Sequence, residues 1–512
     1  MKKREFKLHP AILLFILTLI IMVISSVGSI LNLETTYYNV NAVTGELETQ
    51  VVTINNLFNR TGLQYLVSNM ITNFINFAPL GTLIVGLMGV GVAFKSGFLN
   101  SFFKMITHDK PKKIFTFIVV LLGVIASMFY EAGYVILLPV AAILFMNLGR
   151  HPSIGVCAAF AGISFGYGAN ILINGVDNVL YTYTQNATKI LDQNYHVSIT
   201  GNIILMIVAT FIIAYLGMII TEKYIVPKLG KYNFEDEEDI DLKVEVTSKE
   251  KKGVVIAILF TAILCFIFIY CIIPGLPFSG LFLNLKEKTY VAQLFGDGSY
   301  FRQGSVLIFA GLLGFAGLVY GIRVKTIRNN KDLMNSMSYY LKGFASLLIL
   351  IFFAAQFCLI FKETNIGVFI VVSLSELLGN LQLTGIVLII FTFIIVAISA
   401  FFVPSLATKW AIMSPVLVPM FMQSSFTPEF SQAVFRAADS SVKGITPLFT
   451  YFVILLGFLQ IYNNKKRAVV TLTDGMSLML PYTIAFSIAW LLIILAFYII
   501  GLPLGINARV MI

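Results

Sequence analysis

Charge is scarce in this sequence. Asp, Glu, Lys and Arg make up 12% of its 512 residues, against about 25% in a typical soluble domain, which leaves too little polar surface to face water all round. Cysteine is scarcer: Cys157, Cys265, Cys271 and Cys358 fall within apolar stretches at unpaired spacings. That excludes a disulfide framework or a cysteine zinc site and makes them small core hydrophobes. The four histidines, His9, His108, His151 and His196, are scattered over termini and loops, with no HExxH spacing and no GxxxxGK[ST] phosphate loop elsewhere. These absences argue against a metalloenzyme and an ATP-driven pump, and no nucleophile and base can be paired from the spacing. No enzyme activity and no organic cofactor are expected, and an ion gradient, H⁺ or Na⁺, is the natural energy source.

What the chain has in abundance is apolar length. Hydrophobic residues make up 58%, in runs of about 20 that suit a helix crossing the hydrocarbon core. The net charge of +10 sits in short clusters between those runs, which speaks for orientation in a membrane and against nucleic acid. The apolar run from Pro10 to about Leu31 is too long for a signal-peptide core and lacks a small-residue cleavage site, so it reads as a retained first helix. Membrane segments are expected at 10–31, 75–95, 113–148, 153–177, 199–226, 253–273, 303–322, 336–360, 381–422, 430–460 and 470–501.

Two of these are about twice a single span. Segment 113–148 is interrupted from Ser127 to Gly133, around Glu131, and segment 381–422 from Pro404 to Lys409. A re-entrant helical hairpin explains each, since irregular backbone at membrane depth is tolerated where it lines a protein cavity; two full spans with a tight turn are the alternative. With Lys2, Lys3, Arg4 and Lys7 inside, nine transmembrane helices and two hairpins place the clusters Lys104–Lys113, Arg150, Lys223–Lys252, Arg323–Lys331 and Lys465–Arg467 on the cytoplasmic side. The hairpins then open to opposite sides. The sequence carries a matching trace: Ile136, Pro139, Val140 and Phe145 recur 276 residues later as Ile412, Pro415, Val416 and Phe421, and Asn170 falls opposite Thr446. The fold class expected is an all-α integral membrane protein of inverted-topology repeats. It divides into a first helix and outer loop (1–74), a first repeat (75–227), a linker with two connecting helices (228–335) carrying the acidic run Glu235–Asp239, and a second repeat (336–512).

Ionisable groups inside spans are costly and each needs a reason. The candidates are Glu131, Asp177, Lys409, Arg436, Asp439 and Lys443. Asp177 can also mark a helix terminus, and Arg436 with Asp439, three apart, can form a structural pair. Spans 153–177 and 430–460 contain polar breaks, with Gly166, Gly168, Asn170, Asn174 and Gly175 in the first and Asp439, Ser440, Ser441, Lys443, Gly444, Thr446 and Pro447 in the second. Such residues unwind a helix and present its backbone and ends to a ligand; a proline kink alone is the plainer reading.

Several blocks resemble the p-aminobenzoyl-glutamate transporter (AbgT) family over nearly the whole chain. They are Asn73 to Gly81, Gly149 to Pro152, Ala169-Asn170 with Asp177, Phe352 to Phe357, Lys409 to Met420, and Arg436 with Asp439-Ser440. The resemblance implies nine transmembrane helices with two re-entrant hairpins, a homodimer, and ion-driven import of p-aminobenzoyl-glutamate or efflux of sulfonamide antimetabolites. Family positions carry over to Asp177, Trp410, Arg436, Asp439 and Pro447. A guanidinium suits a carboxylate or sulfonamide, and an indole can stack on an aminobenzoyl ring or simply pack at a hairpin tip. This chain departs from the family in four places: Ala400 and Lys443 replace usual asparagines, Pro404 replaces a tip glycine, and Glu131 replaces an aspartate. Losing two amides removes oxygen ligands for Na⁺, so H⁺ coupling is favoured over Na⁺, for which a site near Asn170 remains open.

The site expected for substrate therefore comprises Asn170, Asp177, Trp410, Arg436, Asp439, Lys443, Thr446 and Pro447, with Glu131, Ser405 and Lys409 in coupling or gating. The protein is expected in the inner or plasma membrane of a bacterium with its N-terminus in the cytoplasm. An aliphatic carboxylate carrier and a passive channel are the competing functions.

Overall fold

The structure, a computed structural model, describes residues 8–40, 47–234, 245–296, 298–463 and 469–512; the acidic run Glu235–Asp239 and the clusters Lys2–Lys7 and Lys465–Arg467 lie outside them. α1 (Pro10–Ile30) starts on the proline at its first position, where no amide partner is missed. It leads into an antiparallel β-hairpin of β1 (Glu34–Val40) and β2 (Leu47–Thr53). Then come α2 (Arg60–Ile75), α3 (Ala78–Lys95), α4 (Phe98–Thr107), α5 (Lys112–Ala126), α6 (Leu138–Asn147), α7 (Pro152–Phe165), α8 (Gly175–Thr188), α9 (Ile203–Ile220) and the short α10 (Val226–Leu229). The middle of the chain holds α11 (Ser248–Tyr270), α12 (Tyr290–Phe295), α13 (Tyr300–Val324) and α14 (Asn330–Met337). The rest is α15 (Ala345–Glu363), α16 (Ile366–Asn380), α17 (Gly385–Phe402), α18 (Leu406–Gln423), α19 (Pro428–Lys443), α20 (Phe452–Ile461) and α21 (Leu472–Ile500). Reciprocal capping boxes start α8, α11 and α21, from Asn174 with Asp177, Thr247 with Glu250 and Thr471 with Asp474.

Among the described residues nine helical stretches are long and apolar enough to cross a membrane. The number agrees with the sequence reading but two members differ. α5 and α17, arms of the expected hairpins, are in the set, while α7 with α8 and α19 with α20 are cut by their breaks into pieces too short to cross alone. Three other boundaries need correction. The span placed at 336–360 begins at Ala345, because Tyr339 and Tyr340 turn aside to pack on Phe94. α16 falls between the expected segments 336–360 and 381–422, its apolar run diluted by Ser373, Ser375, Glu376 and Gly379. The segment called an outer loop contains the β-hairpin, whose β1 lies on α16 and α18.

The breaks fall where the sequence places them. α5 ends in a short turn at Ser127–Phe129, Tyr130 takes a positive φ of 51°, and a widened helical turn at Gly133–Leu137 leads into α6. Both arms lean on α7, whose small residues permit close approach. A Cβ at Gly162 would lie 2.4 Å from the Val120 carbonyl of one arm, and a Cβ at Gly155 would lie 2.3 Å from the Ala141 carbonyl of the other. The second turn is tighter, at 403–405, so Lys409 lies within α18 and not in the interruption.

Contacts from the start of α5 and the end of α6 lie at one end of α9, and contacts from the α18–α19 junction lie at the other. At its C-terminal end Glu222 accepts from Thr116 and, in a fork, from Arg150 (2.6 and 3.1 Å). At its N-terminal end the chain from Leu504 to Ala508 pairs with Ile204, and Val510 with Thr427 between α18 and α19. The two repeats also grip each other reciprocally. A Cβ at Gly168 would strike Ser440 Oγ at 2.6 Å, and one at Gly444, 276 residues on, would meet Phe165 at 2.6 Å and Ser164 Cβ at 3.0 Å. Since Ser164 and Ser440 are separated by the same 276 positions, this is the contact pattern of an inverted repeat, with the pseudo-twofold axis passing between the two helix ends.

Candidate functional site

Each break packs against the interruption in the double-length segment of its own half, at the ends of α5 and α17. Asn170 Nδ2 donates to the carbonyls of Val124 (3.2 Å) and Ile125 (3.4 Å); Thr446 Oγ1 donates to the carbonyl of Phe401 (2.7 Å), the residue matching Ile125. Asn170 thus turns its amino group to the tip, and its oxygen, the atom a sodium ion would need, accepts from Ile171 N at 2.9 Å. Among the described residues no three His, Cys, Asp or Glu side chains gather as metal ligands.

The ionisable residues pair differently from the simplest helical expectation. Arg436 and Asp439 do not bond to each other. Arg436 Nη1 donates to Asp177 Oδ1 at 2.7 Å, and Lys409 forms an ion pair with Asp439, with all four side chains buried. The reason is rotational: Arg436 faces the start of α8 while Asp439 faces α18, so each finds its partner across helices. Asp177 serves twice, since its Oδ2 accepts from Asn174 N at 2.9 Å as half of the α8 capping box. Lys409 Nζ also donates to the Val403 carbonyl at 2.5 Å, tying the second tip to α19.

Lys443 is held by ring faces, with Nζ 3.4 Å from the Tyr167 centroid and 5.4 Å from that of Phe449. Tyr167 and Lys443 are again 276 positions apart, so this contact too straddles the axis. Lys443 opens on a cavity of about 340 Å³ formed by the second tip, the second break and the end of α15, whose wall includes Pro404, Ser405, Thr408, Phe449 and Lys362. Ser405 caps α18 by accepting from Thr408 N. Around this second break stand three cations, Lys409, Arg436 and Lys443, and two carboxylates, Asp177 and Asp439. One positive charge is left over beside the cavity, and an anionic ligand would balance it.

The first tip borders a larger cavity of about 600 Å³ against α11 and α13. Its Ala126, Phe129 and Ala132 stand where the second has Phe402, Ser405 and Thr408. The fold is repeated, but polarity at the tip cavities is not. Glu131 lies apart from the cationic group, beside the phenols of Tyr134 and Tyr451.

Trp410 does not line the cavity. It is fully buried, its ring 4.4 Å from that of Phe435 and its Nε1 donating to Thr184 Oγ1 at 2.9 Å, so α18 is pinned to α8 and α19. Ala400 is buried on α17, and the Pro447 carbonyl faces Cys358 of α15. Sequence reasoning missed Tyr167, Phe449, Lys362 and Thr184. The first was within reach, because residues matched across an inverted repeat and lying at helix ends meet on the axis; the others have no sequence signal.

The family model for the AbgT putative transporter family matches residues 6–512. The p-aminobenzoyl-glutamate transport protein of Escherichia coli K12 is 31% identical over 502 residues, covering 97% of this chain and 93% of that protein. MtrF of Neisseria gonorrhoeae, whose structure was described as illuminating a class of antimetabolite efflux pumps, is 33% identical and covers 98% of each chain with a TM-score of 0.50. The YdaH transporter of Alcanivorax borkumensis, of unusual topology, is 31% identical over 98% of this chain and all of its own, with a TM-score of 0.49. Helices long enough to cross a membrane, two interlocked broken helices and full-length similarity lead to one conclusion: this chain is a multi-pass membrane transporter and belongs to the AbgT family.

Proposed function

We propose that the protein is a secondary active transporter of aromatic carboxylates of the p-aminobenzoyl-glutamate kind, or of sulfonamide antimetabolites, driven by protons. The observation that carries this reading is the surplus cation of the second break. Lys443, seated on Tyr167 and Phe449 at the wall of a largely apolar cavity, offers an ammonium for a carboxylate next to ring faces for an aminobenzoyl group. Arg436 adds a guanidinium with Nε and Nη2 unpaired among the described residues, open to a second anionic group once the helices part. Proton coupling is supported by Lys443 standing where an amide would offer oxygen to Na⁺, and by the buried Lys409–Asp439 pair, which a single proton can uncouple.

In this reading the two hairpins re-enter the bilayer from opposite faces and move with α7, α8, α19 and α20 as a unit against a scaffold of the remaining helices. The scaffold forms a homodimer, with the N-terminus cytoplasmic in a bacterial inner membrane. The test is counterflow in liposomes with labelled p-aminobenzoyl-glutamate, sulfamethazine and succinate, with and without Na⁺. Saturable counterflow of the aromatic anion that ignores Na⁺ supports the proposal. Counterflow of succinate alone, or flux that never concentrates against a gradient, overturns it.

A further inference from the structure

α19 is buried on every side: every residue from Pro428 to Ser441 is withdrawn from solvent, the polar ones included. Yet one face is polar. At 100° per residue, Glu429, Gln432, Arg436, Asp439, Ser440 and Lys443 fall within about 100° of one another. A polar stripe on a surface helix faces water; on a helix enclosed by protein it has to face something else. Its first-repeat counterpart shows that the fold does not demand it, since the matching positions 276 residues earlier are Ser153, Val156, Phe160, Ile163, Ser164 and Tyr167. The same helix in the same packing is built there from apolar residues at three of the six places.

The stripe is also incompletely bonded. Asn202 Nδ2 donates to Gln432 Oε1 at 3.2 Å, but Asn202 Oδ1, Gln432 Nε2 and Arg436 Nε and Nη2 find no partner among the described residues, although the three side chains are at most 5% exposed. Buried polar atoms in this state are ordinarily satisfied by water. At the α19 N-terminus Glu429 accepts from Tyr195 OH and Ser198 N, both at 2.8 Å. Tyr195 in turn lines a surface cavity of about 500 Å³ with Thr427, Asn507 and Arg509. From that cavity the order of polar groups inward is Glu429, then Asn202 with Gln432, then Arg436 with Asp177, then Asp439 with Lys409.

We propose that this stripe is a water-bearing proton route from the cavity at Tyr195 to the Asp439 carboxylate, with Gln432 and Asn202 as its water-holding residues. It rests on the proton-coupled reading above and adds the path. Between the Tyr195 cavity and Arg436 every group is too buried to admit an aromatic solute, so water and protons are the traffic of that stretch. Arg436 does not bar a proton, because Asp177 neutralises it. At the inner end a hydronium transfers its proton to an Asp439 oxygen, water remains, and the Lys409 ammonium loses its counter-charge. The tie between the second tip and α19 is then loosened.

Gln432→Leu and Asn202→Leu test the route in proteoliposomes by comparing two rates for labelled p-aminobenzoyl-glutamate. One is accumulation driven by a pH gradient, and the other is counterflow at equal pH, which needs no net proton movement. The route predicts a tenfold or greater loss of driven accumulation with counterflow within twofold of the parent, and recovery of accumulation in Gln432→Glu, which can hold water again. Driven accumulation unchanged in both leucine variants overturns the proposal. Equal loss of both rates, without recovery in Gln432→Glu, assigns the residues a structural role and overturns it too. If the parent shows counterflow but accumulates on Na⁺ and not on H⁺, the coupling reading and the route both fall while the substrate reading stands; absence of counterflow in the parent sinks all three.

Discussion

Arg436 and Asp177 lie 2.7 Å apart with both buried, and the energetics of such a pair are lopsided. The attraction only about repays the desolvation of two ions, but removing one partner strands the other charge at a cost of about 3–5 kcal/mol. Arg436→Gln and Asp177→Asn should each lower the melting temperature of the purified protein by several degrees. The double variant should regain most of that loss, because no charge is left unpaired, while transport stays abolished, because no guanidinium is left for the substrate. A double variant as unstable as the sum of the singles would show that the two residues do not act as a pair. Lys443 makes a different prediction. Its ammonium sits on Tyr167, so Lys443→Asn puts an amide oxygen at the second break, and a hard cation then gains a ligand. Uptake that is indifferent to Na⁺ in the parent should become stimulated when Na⁺ replaces choline. Stimulation in both proteins alike, or in neither, would remove Lys443 from the choice of coupling ion.

At the scale of elements, the ends of α7 and α19 meet in close contact. Gly168 and Gly444 each face the other repeat's helix end at distances no Cβ tolerates, the first against the Arg436 carbonyl at 2.7 Å as well as Ser440. Gly168→Val and Gly444→Val should therefore overpack the axis, destabilise by about 1–3 kcal/mol, and slow counterflow far more than the melting temperature suggests, since both breaks must shift together. Melting and transport falling in strict proportion would mean that the contact matters for folding only. The two breaks are legible in the sequence, though their contact is not. The 276-residue offset, the polar breaks and the double-length segments fixed where the chain stops being helical, because unwound backbone within an apolar run needs Gly, Pro and amides that composition exposes. What stayed hidden was partner choice. Arg436 and Asp439 share a helix face by spacing, yet their partners come from α8 and α18, which only the packing of separate segments decides. α16 and the β-hairpin escaped for a related reason: their stability comes from lying on α18, not from their own periodicity.

For the whole molecule, the question is whether the hairpins travel as a body against the scaffold. The segment between α5 and α6 meets α3 where a Cβ built on Gly86 would stand 3.0 Å from Val135 Cβ, closer than the roughly 3.5–4.5 Å of a disulfide, so the two backbones must part by about half an ångström to take the link. Gly86→Cys with Val135→Cys, placed in a chain whose Cys157, Cys265, Cys271 and Cys358 are replaced by alanine or serine, should cross-link under mild oxidation in the conformation described. If transport requires this segment to slide along α3, the oxidised protein loses counterflow and a reducing agent restores it, while substrate binding persists. A proton coupling that works only by local side-chain motion predicts the opposite, since the cavity beside Lys443 lies at the other tip, and a link at Val135 would leave it free to open and close. The argument turns on the shared axis. Because Gly168, Gly444, Tyr167 and Lys443 bind the two broken helices to each other across it, restraining one hairpin should restrain both, and cross-linking at Val135 should silence a site built almost wholly from repeat 2.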